Sequence, residues 1–399
     1  MIPHVFVKPH EDVRILHGHP WVYDNEISHT SKDFNPAAEE TQGMDVAVFS
    51  AKNQLLGTGF YNPKSHIRVR LFTRKEEQCT KELIESRIAQ ALGWRSQYLP
   101  HDTQSYRLVF GESDNLPGLI VDVFQRAWIS MQILSAGMER NKQTVIDALV
   151  AACKPQGIIE RSDAPVRALE GLPMYSGVVY GSVPETITIE ENGLQFAVSL
   201  YEGQKTGWFL DQKANRRLVA SYAQGRTVLD VFCNAGGFAL NCLKAGAASV
   251  VAVDSSDYAI AAVKENAQLN GLEKGLETIC ANAFDVLRSL PKESYEYIIL
   301  DPPAFAKNRA SVRQALRGYK EINLRAMRAL KRGGLLASFS CSYWIKRDDF
   351  LYMLNGAAAD AGVTVKVIHE LRQDIDHPVR LGYDESFYLK GFLMEIQRE

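Results

Sequence analysis

Polar and apolar positions alternate in short runs at the start of the chain: VFVK, MDVAVFS, QLLGTGFYN and HIRVRLF, each closed by Gly, Asn or Pro. Alternation bounded by turn formers predicts half-buried strands, so residues 1–75 read as a small β-rich domain. The pattern turns helical in KELIESRIAQALGWRSQYL. Strand-like RLVFGES, LPGLIVDVF and AWISMQIL come next, then a helix over 141–152 and a strand at GIIERSD. This mixture makes 76–190 a central α+β domain. From 191 the apolar runs TVLDVF, SVVAVD, LETICAN, YEYIILD and GGLLASFSCS alternate with helical GGFALNCLKAG, DYAIAAVKENAQLNG and a long amphipathic segment. Strands separated by helices predict an α/β domain over 191–399, a parallel sheet covered on both faces. Ligands of such sheets bind beyond the carboxyl ends of the strands, so chemistry is sought there.

Composition narrows the class. The 399 residues exceed what one core organises, and 46% hydrophobic with 23% charged residues is ordinary for a soluble protein. No apolar run is long enough to span a membrane, and MIPHVFVKPHEDVRILHGHP lacks the zones of a secretory signal; a cytoplasmic protein without a membrane partner is expected. The cysteines Cys79, Cys153, Cys233, Cys242, Cys280 and Cys341 are scattered and form no Cys/His cluster, which points away from disulfides and from a metal site. A net charge of -2 disfavours nonspecific coating of nucleic acid, but the charge is unevenly spread. Lys307, Arg309, Arg313, Arg317, Lys320, Arg325, Arg328, Lys331, Arg332, Lys346 and Arg347 face a single acid, Glu321, and a shorter basic stretch runs from Lys64 through Arg68, Arg70 and Arg74 to Lys75.

Acids mark the strand ends of the last domain. Asp230 closes TVLDVF ahead of the Gly236 and Gly237 turn, Asp254 ends SVVAVD, Asn282 and Ala283 follow LETIC, and Asp301 ends YEYIILD. A carboxylate at the second strand end suits a ribose diol. The Gly-x-Gly-x-x-Gly phosphate cradle of dinucleotide enzymes is absent, which favours S-adenosylmethionine, a nucleoside ligand without phosphate.

Here a resemblance becomes specific. LDVFCNAGGFAL, VVAVDSS and LDPPAF resemble the first, second and fourth motifs of class I, Rossmann-like methyltransferases. QKTGWFLDQKANR, RGYKEINLRAM, FSCS and DHPV are similar to the bacterial 23S ribosomal RNA large subunit methyltransferase I family, and GHPWVYDNEI resembles the start of a PUA domain. The resemblance covers nearly the whole chain. It implies a PUA domain, a central α+β domain and a methyltransferase domain that consumes S-adenosylmethionine and releases S-adenosylhomocysteine. Asp230, Asn234, Gly236 and Gly237 would shape the methionine pocket, Asp254 would hold the ribose, and Ser255, Ser256, Asn282 and Ala283 would edge the adenine. Thr206, Gly207, Trp208, Phe209 and Asp211 match the segment that closes over the cofactor in that family.

Carbon 5 of cytosine is a poor nucleophile, so a thiolate must first add to carbon 6. Cys341 follows the apolar run LLASF and is placed at a strand end beside the basic tract, which would favour its thiolate; Asp301 is the nearest group to serve cytosine N3 and also lies in the cofactor crevice. Ala304 stands where other cytosine-5 RNA enzymes carry a second cysteine, and the family resembled here also lacks it. Arg309, Arg313, Arg317 and Lys320 are expected to track ribosomal RNA phosphates, the first three on one helix face, with Tyr343 and Trp21 as further RNA contacts. Tyr343 and Trp344 suit base stacking and core packing equally, and His377 takes no assigned role. Two other readings stay open: direct methylation of a purine nitrogen, which needs no thiol, and a non-catalytic RNA-binding assembly factor. Nothing in the sequence decides whether the chain forms a homodimer.

Overall fold

The computed structural model describes residues 2–203, 206–306 and 308–398; Lys205 of the QKTGWFL tract and Lys307 of the basic tract lie outside them. Packing divides the chain into two compact units. The first comprises residues 1–189, 198–210 and 375–386; the second comprises 190–197, 211–374 and 387–399. The DHPV tract, with Asp376 and His377, therefore packs in the first unit, although it follows most of the α/β sequence.

The alternating runs at the start of the first unit form a six-stranded sheet over residues 4–73. Every second side chain turns inward, and Val5, Val7, Val46, Val48, Val69 and Leu71 close around Ile15 as one core. A short helix, Asp12–Leu16, and the strand Trp21–Tyr23 were not marked by alternation. The helix Lys81–Tyr98 starts where the Thr80 hydroxyl accepts the Leu83 amide, and it buries Ile84, Ile88 and Ala91 on one face. That face joins the core of a five-stranded sheet over residues 106–181.

In the second unit the elements are numbered from its own start: α1 Lys213–Ala220, β1 Thr227–Val231, α2 Gly237–Lys244, β2 Ser249–Asp254, α3 Asp257–Asn270, β3 Leu276–Cys280, α4 Ala283–Ser289, β4 Tyr295–Leu300, α5 Val312–Ala329, β5 Leu330–Ser340, α6 Arg347–Ala361, β6 Thr364–Arg372 and β7 Lys390–Gln397. The seven strands lie in the order β3-β2-β1-β4-β5-β7-β6. Strands β1 to β5 pair in parallel, as the helix-strand alternation predicts. The wholly parallel sheet is corrected at one edge: β7 runs antiparallel to both β5 and β6. A parallel pairing of β6 with β7 needs a crossover, usually an α-helix, and only the 3₁₀ turn Asp384–Ser386 lies between them.

The core of this sheet includes Leu229, Val231, Ile298, Leu300, Leu336 and Phe392. Helix α5 lays Ala315, Tyr319, Ile322 and Ala326 against it, a spacing of three to four that leaves Arg313 and Arg317 exposed. Strand order reverses between β1 and β4, so their carboxyl ends open a crevice where Asp230 and Asp301 stand. Among the described residues no helix is long and apolar enough to cross a membrane.

Candidate active site

The crevice is built on the turn after β1. Phe232, Asn234 and Gly236 all take positive φ, at 67°, 48° and 83°, which folds the chain back sharply before α2. Gly236 occupies the N-cap of α2 and has no side chain to accept a first-turn amide. Asp230 does this from the strand: its Oδ2 accepts the Ala239 amide at 2.9 Å. The other oxygen, Oδ1, is buried with no hydrogen-bond partner among the described residues. Burial pushes the Asp230 carboxyl up to about 7, and the neighbouring charges of Asp301 and Asp254 add to that rise.

Asp254 completes the turn. Its Oδ2 accepts the Asn234 amide and its Oδ1 the Ser256 amide, each at 3.0 Å, fixing the carboxylate at the end of β2. Each oxygen retains a second acceptor site. Ser255 and Ser256 are exposed, and the Ser256 hydroxyl caps α3 by accepting the Ala259 amide. Asn282 caps α4 through the Phe284 amide, with Ala283 buried behind it. Gly237 has no positive φ, but a Cβ there would come 2.6 Å from Nε of Arg216, which is ion-paired with Glu191. Carboxylates that need donors, on a turn without a phosphate cradle, suit a ligand bringing hydroxyls and positive charge.

The loops after β4 and β5 meet beside this turn. The Asp301 amide donates to the Val231 carbonyl at 3.4 Å. The Cys341 thiol lies 3.9 Å from the Pro302 carbonyl oxygen, and Cys341 is partly exposed. The Ala306 amide donates to the Ser342 hydroxyl at 3.2 Å, and the Tyr319 hydroxyl is 3.1 Å from that same oxygen. Behind the loop, buried Lys390 donates from Nζ to the carbonyls of Ser342 and Ile345, both at 2.6 Å. Burial pulls the Lys390 ammonium down to about 8; the Lys346 charge acts the same way, while Cys341 and Asp349 oppose it. Tyr319 and Ser342 lie within RGYKEINLRAM and FSCS, which assign them no role, and Lys390 lies outside the quoted motifs.

The remaining cysteines differ from Cys341 in their surroundings. Burial pushes the thiols of Cys79 and Cys153 up to about 12 and about 11, and those of Cys233 and Cys242 well above the ordinary value. A hydrogen bond with Asp257 raises the exposed Cys280.

The other expected site residues are distributed. Thr206 is fully buried in the first unit, where its hydroxyl donates to Asp122, itself ion-paired with Arg107. Gly207, Trp208 and Phe209 belong to the first unit as well. Asp211 belongs to the second, where it accepts the Tyr388 hydroxyl. In the first unit the indole of Trp21 donates to Glu112 at 2.7 Å and its ring packs against Tyr383, so its one donor is engaged internally. His377 is buried there against Asp376, whose Oδ2 accepts the Arg107 amide.

Much of the basic tract is neutralised: Lys320 pairs with Asp360, Lys331 with Glu296, and Arg347 with Glu370. Arg309, Arg313 and Arg317 form no ion pair among the described residues. Helix α5 begins at Val312, so Arg313 and Arg317 share its face, whereas Arg309 stands in the 3₁₀ turn before it; the expected three-residue stripe is corrected to two. The Lys346 ammonium sits over the Tyr343 ring at 4.2 Å, and Trp344 is exposed beside it.

The chain matches the family of S-adenosylmethionine-dependent methyltransferases over residues 163–378 and that of PUA-like domains over residues 5–74. It is 39% identical over 401 residues to the ribosomal RNA large subunit methyltransferase I of Pseudoalteromonas atlantica, with 99% of this chain and 100% of that protein covered. A solved chain from Streptococcus mutans, assigned as a SAM-dependent methyltransferase, superposes with a TM-score of 0.83 at 19% identity, covering 99% of this chain and 100% of that one. A methyltransferase structure complexed with S-adenosylhomocysteine gives a TM-score of 0.83 at 20% identity and the same coverage. At such identities the structural likeness speaks for the fold.

Proposed function

Because the chain belongs to the ribosomal RNA large subunit methyltransferase I family of S-adenosylmethionine-dependent methyltransferases, we propose that it methylates carbon 5 of a cytosine in 23S ribosomal RNA in the cytoplasm, with Cys341 as nucleophile. The observation that carries this reading is the meeting of the partly exposed Cys341 thiol with the Asp301–Pro302 loop at the carboxyl ends of the central strands. Domains are read as 1–75 for RNA binding, 76–190 as a central α+β part and 191–399 for catalysis.

The cofactor fits the crevice: the orphaned Oδ1 of Asp230 suits the ammonium of its methionine part, and Asp254 suits the ribose hydroxyls. When bound, S-adenosylmethionine supplies an electrophilic methyl on a sulfonium. Asn234, Gly236 and Gly237 would line its methionine part, Ser255, Ser256, Asn282 and Ala283 its adenine, and Thr206 to Phe209 with Asp211 its outer side.

The Cys341 thiolate forms a bond to carbon 6 of the cytosine, and the electron pair of the C5–C6 double bond moves toward N3. Asp301 protonates or hydrogen-bonds N3 as this negative charge develops. S-Adenosylmethionine held by Asp230 and Asp254 would supply the methyl that carbon 5 takes up and would leave as S-adenosylhomocysteine. Loss of the carbon 5 proton to a base re-forms the double bond and expels the thiolate. The target base must be unpaired or flipped out to reach the sulfur. Arg309, Arg313 and Arg317 would follow its backbone, with Lys320 behind them and Tyr343 against the base.

Methyl transfer from radiolabelled cofactor to deproteinised ribosomal RNA, with nucleoside analysis, tests the proposal. Label in 5-methylcytidine that is lost in Cys341→Ala is the expected result. Label in another nucleoside, or an active Cys341→Ala, favours direct nitrogen methylation; no cofactor binding in calorimetry favours a non-catalytic assembly factor.

A further inference from the structure

The first unit carries a second concentration of charge that the reaction does not use. Arg74, Lys75, Arg87 and Arg380 line one cavity of about 250 Å³, with Asn115 at its wall and no carboxylate side chain among its lining residues. They come from separate parts of the sequence: the end of the six-stranded sheet, the helix Lys81–Tyr98, and the 375–386 segment.

Elsewhere in this unit a buried guanidinium faces a carboxylate: Arg70 meets Glu112 and Glu170, Arg95 meets Asp114, Arg107 meets Asp122, and Arg167 meets Glu139. The four cations of the cavity form no ion pair among the described residues. The three arginines are held by neutral groups instead. Arg74 donates to the Leu56 carbonyl at 3.1 Å, Arg380 to the Glu112 carbonyl at 2.6 Å and Asn115 Oδ1 at 3.0 Å, and Arg87 to Gln90 at 3.3 Å. Nε of Arg87 is buried and has no hydrogen-bond partner among the described residues. The nearby Glu112 carboxylate is already shared by Arg70 and the Trp21 indole. Burial lowers Arg74 and Arg380 from the ordinary guanidinium value; the Arg380 charge lowers Arg74 further, and at Arg380 the Glu112 and Tyr383 charges oppose the fall while Arg87 adds to it.

Converging guanidiniums that repel one another are stabilised by an anion that accepts from several at once, and the planar fork matches phosphate oxygens. We propose that this cavity seats a backbone phosphodiester of the RNA substrate, an assignment that rests on the reading of the chain as an RNA methyltransferase. It would hold the RNA at the first unit, which contains the PUA-like residues 5–74.

The test uses the full chain with Arg74→Gln and Arg87→Gln combined, a ribosomal RNA fragment as probe, and inorganic phosphate as competitor at constant ionic strength. The expected result is RNA affinity lowered about tenfold and a plot of log affinity against log salt shallower by roughly one to two, the slope lost with one or two phosphate contacts. KM for RNA rises and kcat holds, while cofactor affinity and thermal unfolding stay as in the unaltered protein. Unchanged RNA affinity and salt slope overturn the proposal. So does phosphate that stabilises the unaltered protein against heat but leaves RNA binding intact, since the cavity is then a small-anion site. Loss of RNA affinity in the double variant, even if the unaltered protein methylates nothing, keeps the cavity assignment and defeats only the enzymatic reading.

Discussion

Lys390 reaches from the last strand to the main chain of Ser342, its Nζ 2.6 Å from the carbonyl of the residue that follows Cys341. One side chain thus fixes the shape of the loop and sets a positive charge near the thiol. Lys390→Met is expected to slow alkylation of Cys341 about tenfold near neutral pH, because it removes the neighbouring positive charge that favours a thiolate. The difference should fade above about pH 8, where Lys390 itself loses its proton. Alkylation rate against pH reads this directly, and Lys390→Arg should restore most of the effect. A profile for the Met variant that overlays the unaltered protein removes Lys390 from any electrostatic role.

Asp230 makes a pH-dependent contribution to stability. Its carboxyl titrates near 7 in the folded chain against about 4 when unfolded, so the folded state binds more protons between those values. Stability from this group is fully present below pH about 4 and is lost as pH rises through 7. Asp230→Asn removes that decline, so the ligand-free variant should gain stability relative to the unaltered protein between pH 5 and 8, measured as denaturation midpoints. At pH 8 the variant should bind S-adenosylmethionine at least about tenfold more weakly, having lost a charged acceptor. Parallel stability profiles for the two proteins would contradict the burial argument.

Gly237→Ala tests the turn by size alone. The added methyl carbon meets Arg216 at 2.6 Å and must displace a buried guanidinium from Glu191. A loss of about 1–3 kcal/mol in urea unfolding is expected. Gly271→Ala, where a Cβ meets nothing but φ is +63°, separates crowding from backbone strain: it should cost less than Gly237→Ala if crowding dominates.

The sequence was informative where one residue type follows an apolar run. Asp230, Asp254 and Asp301 stand at the ends of strands that alternation and length marked correctly, and Cys341 stands one residue beyond β5. The direction of β7 was not legible, because a strand buried on both faces reads the same whichever way it runs. Lys390 opens the apolar strand β7, and its partners are main-chain carbonyls, which carry no side-chain signature. The basic tract misled by count. Glu296, Asp360 and Glu370 neutralise several of its members from other elements, and only folding reveals which cations remain. The cavity of Arg74, Arg87 and Arg380 was hidden for the same reason, since its members are scattered through the chain.

The chain enters the first unit three times, the last time at residues 375–386. Arg95 donates to the carbonyl of Asp376, a residue 281 positions later, and the Arg107 amide waits for the same aspartate. During synthesis the first unit therefore stays unfinished until residues 375–386 have left the ribosome. A fragment ending before Asp376 would leave the buried Arg107 amide without its acceptor, so no single cut divides the chain into the two units.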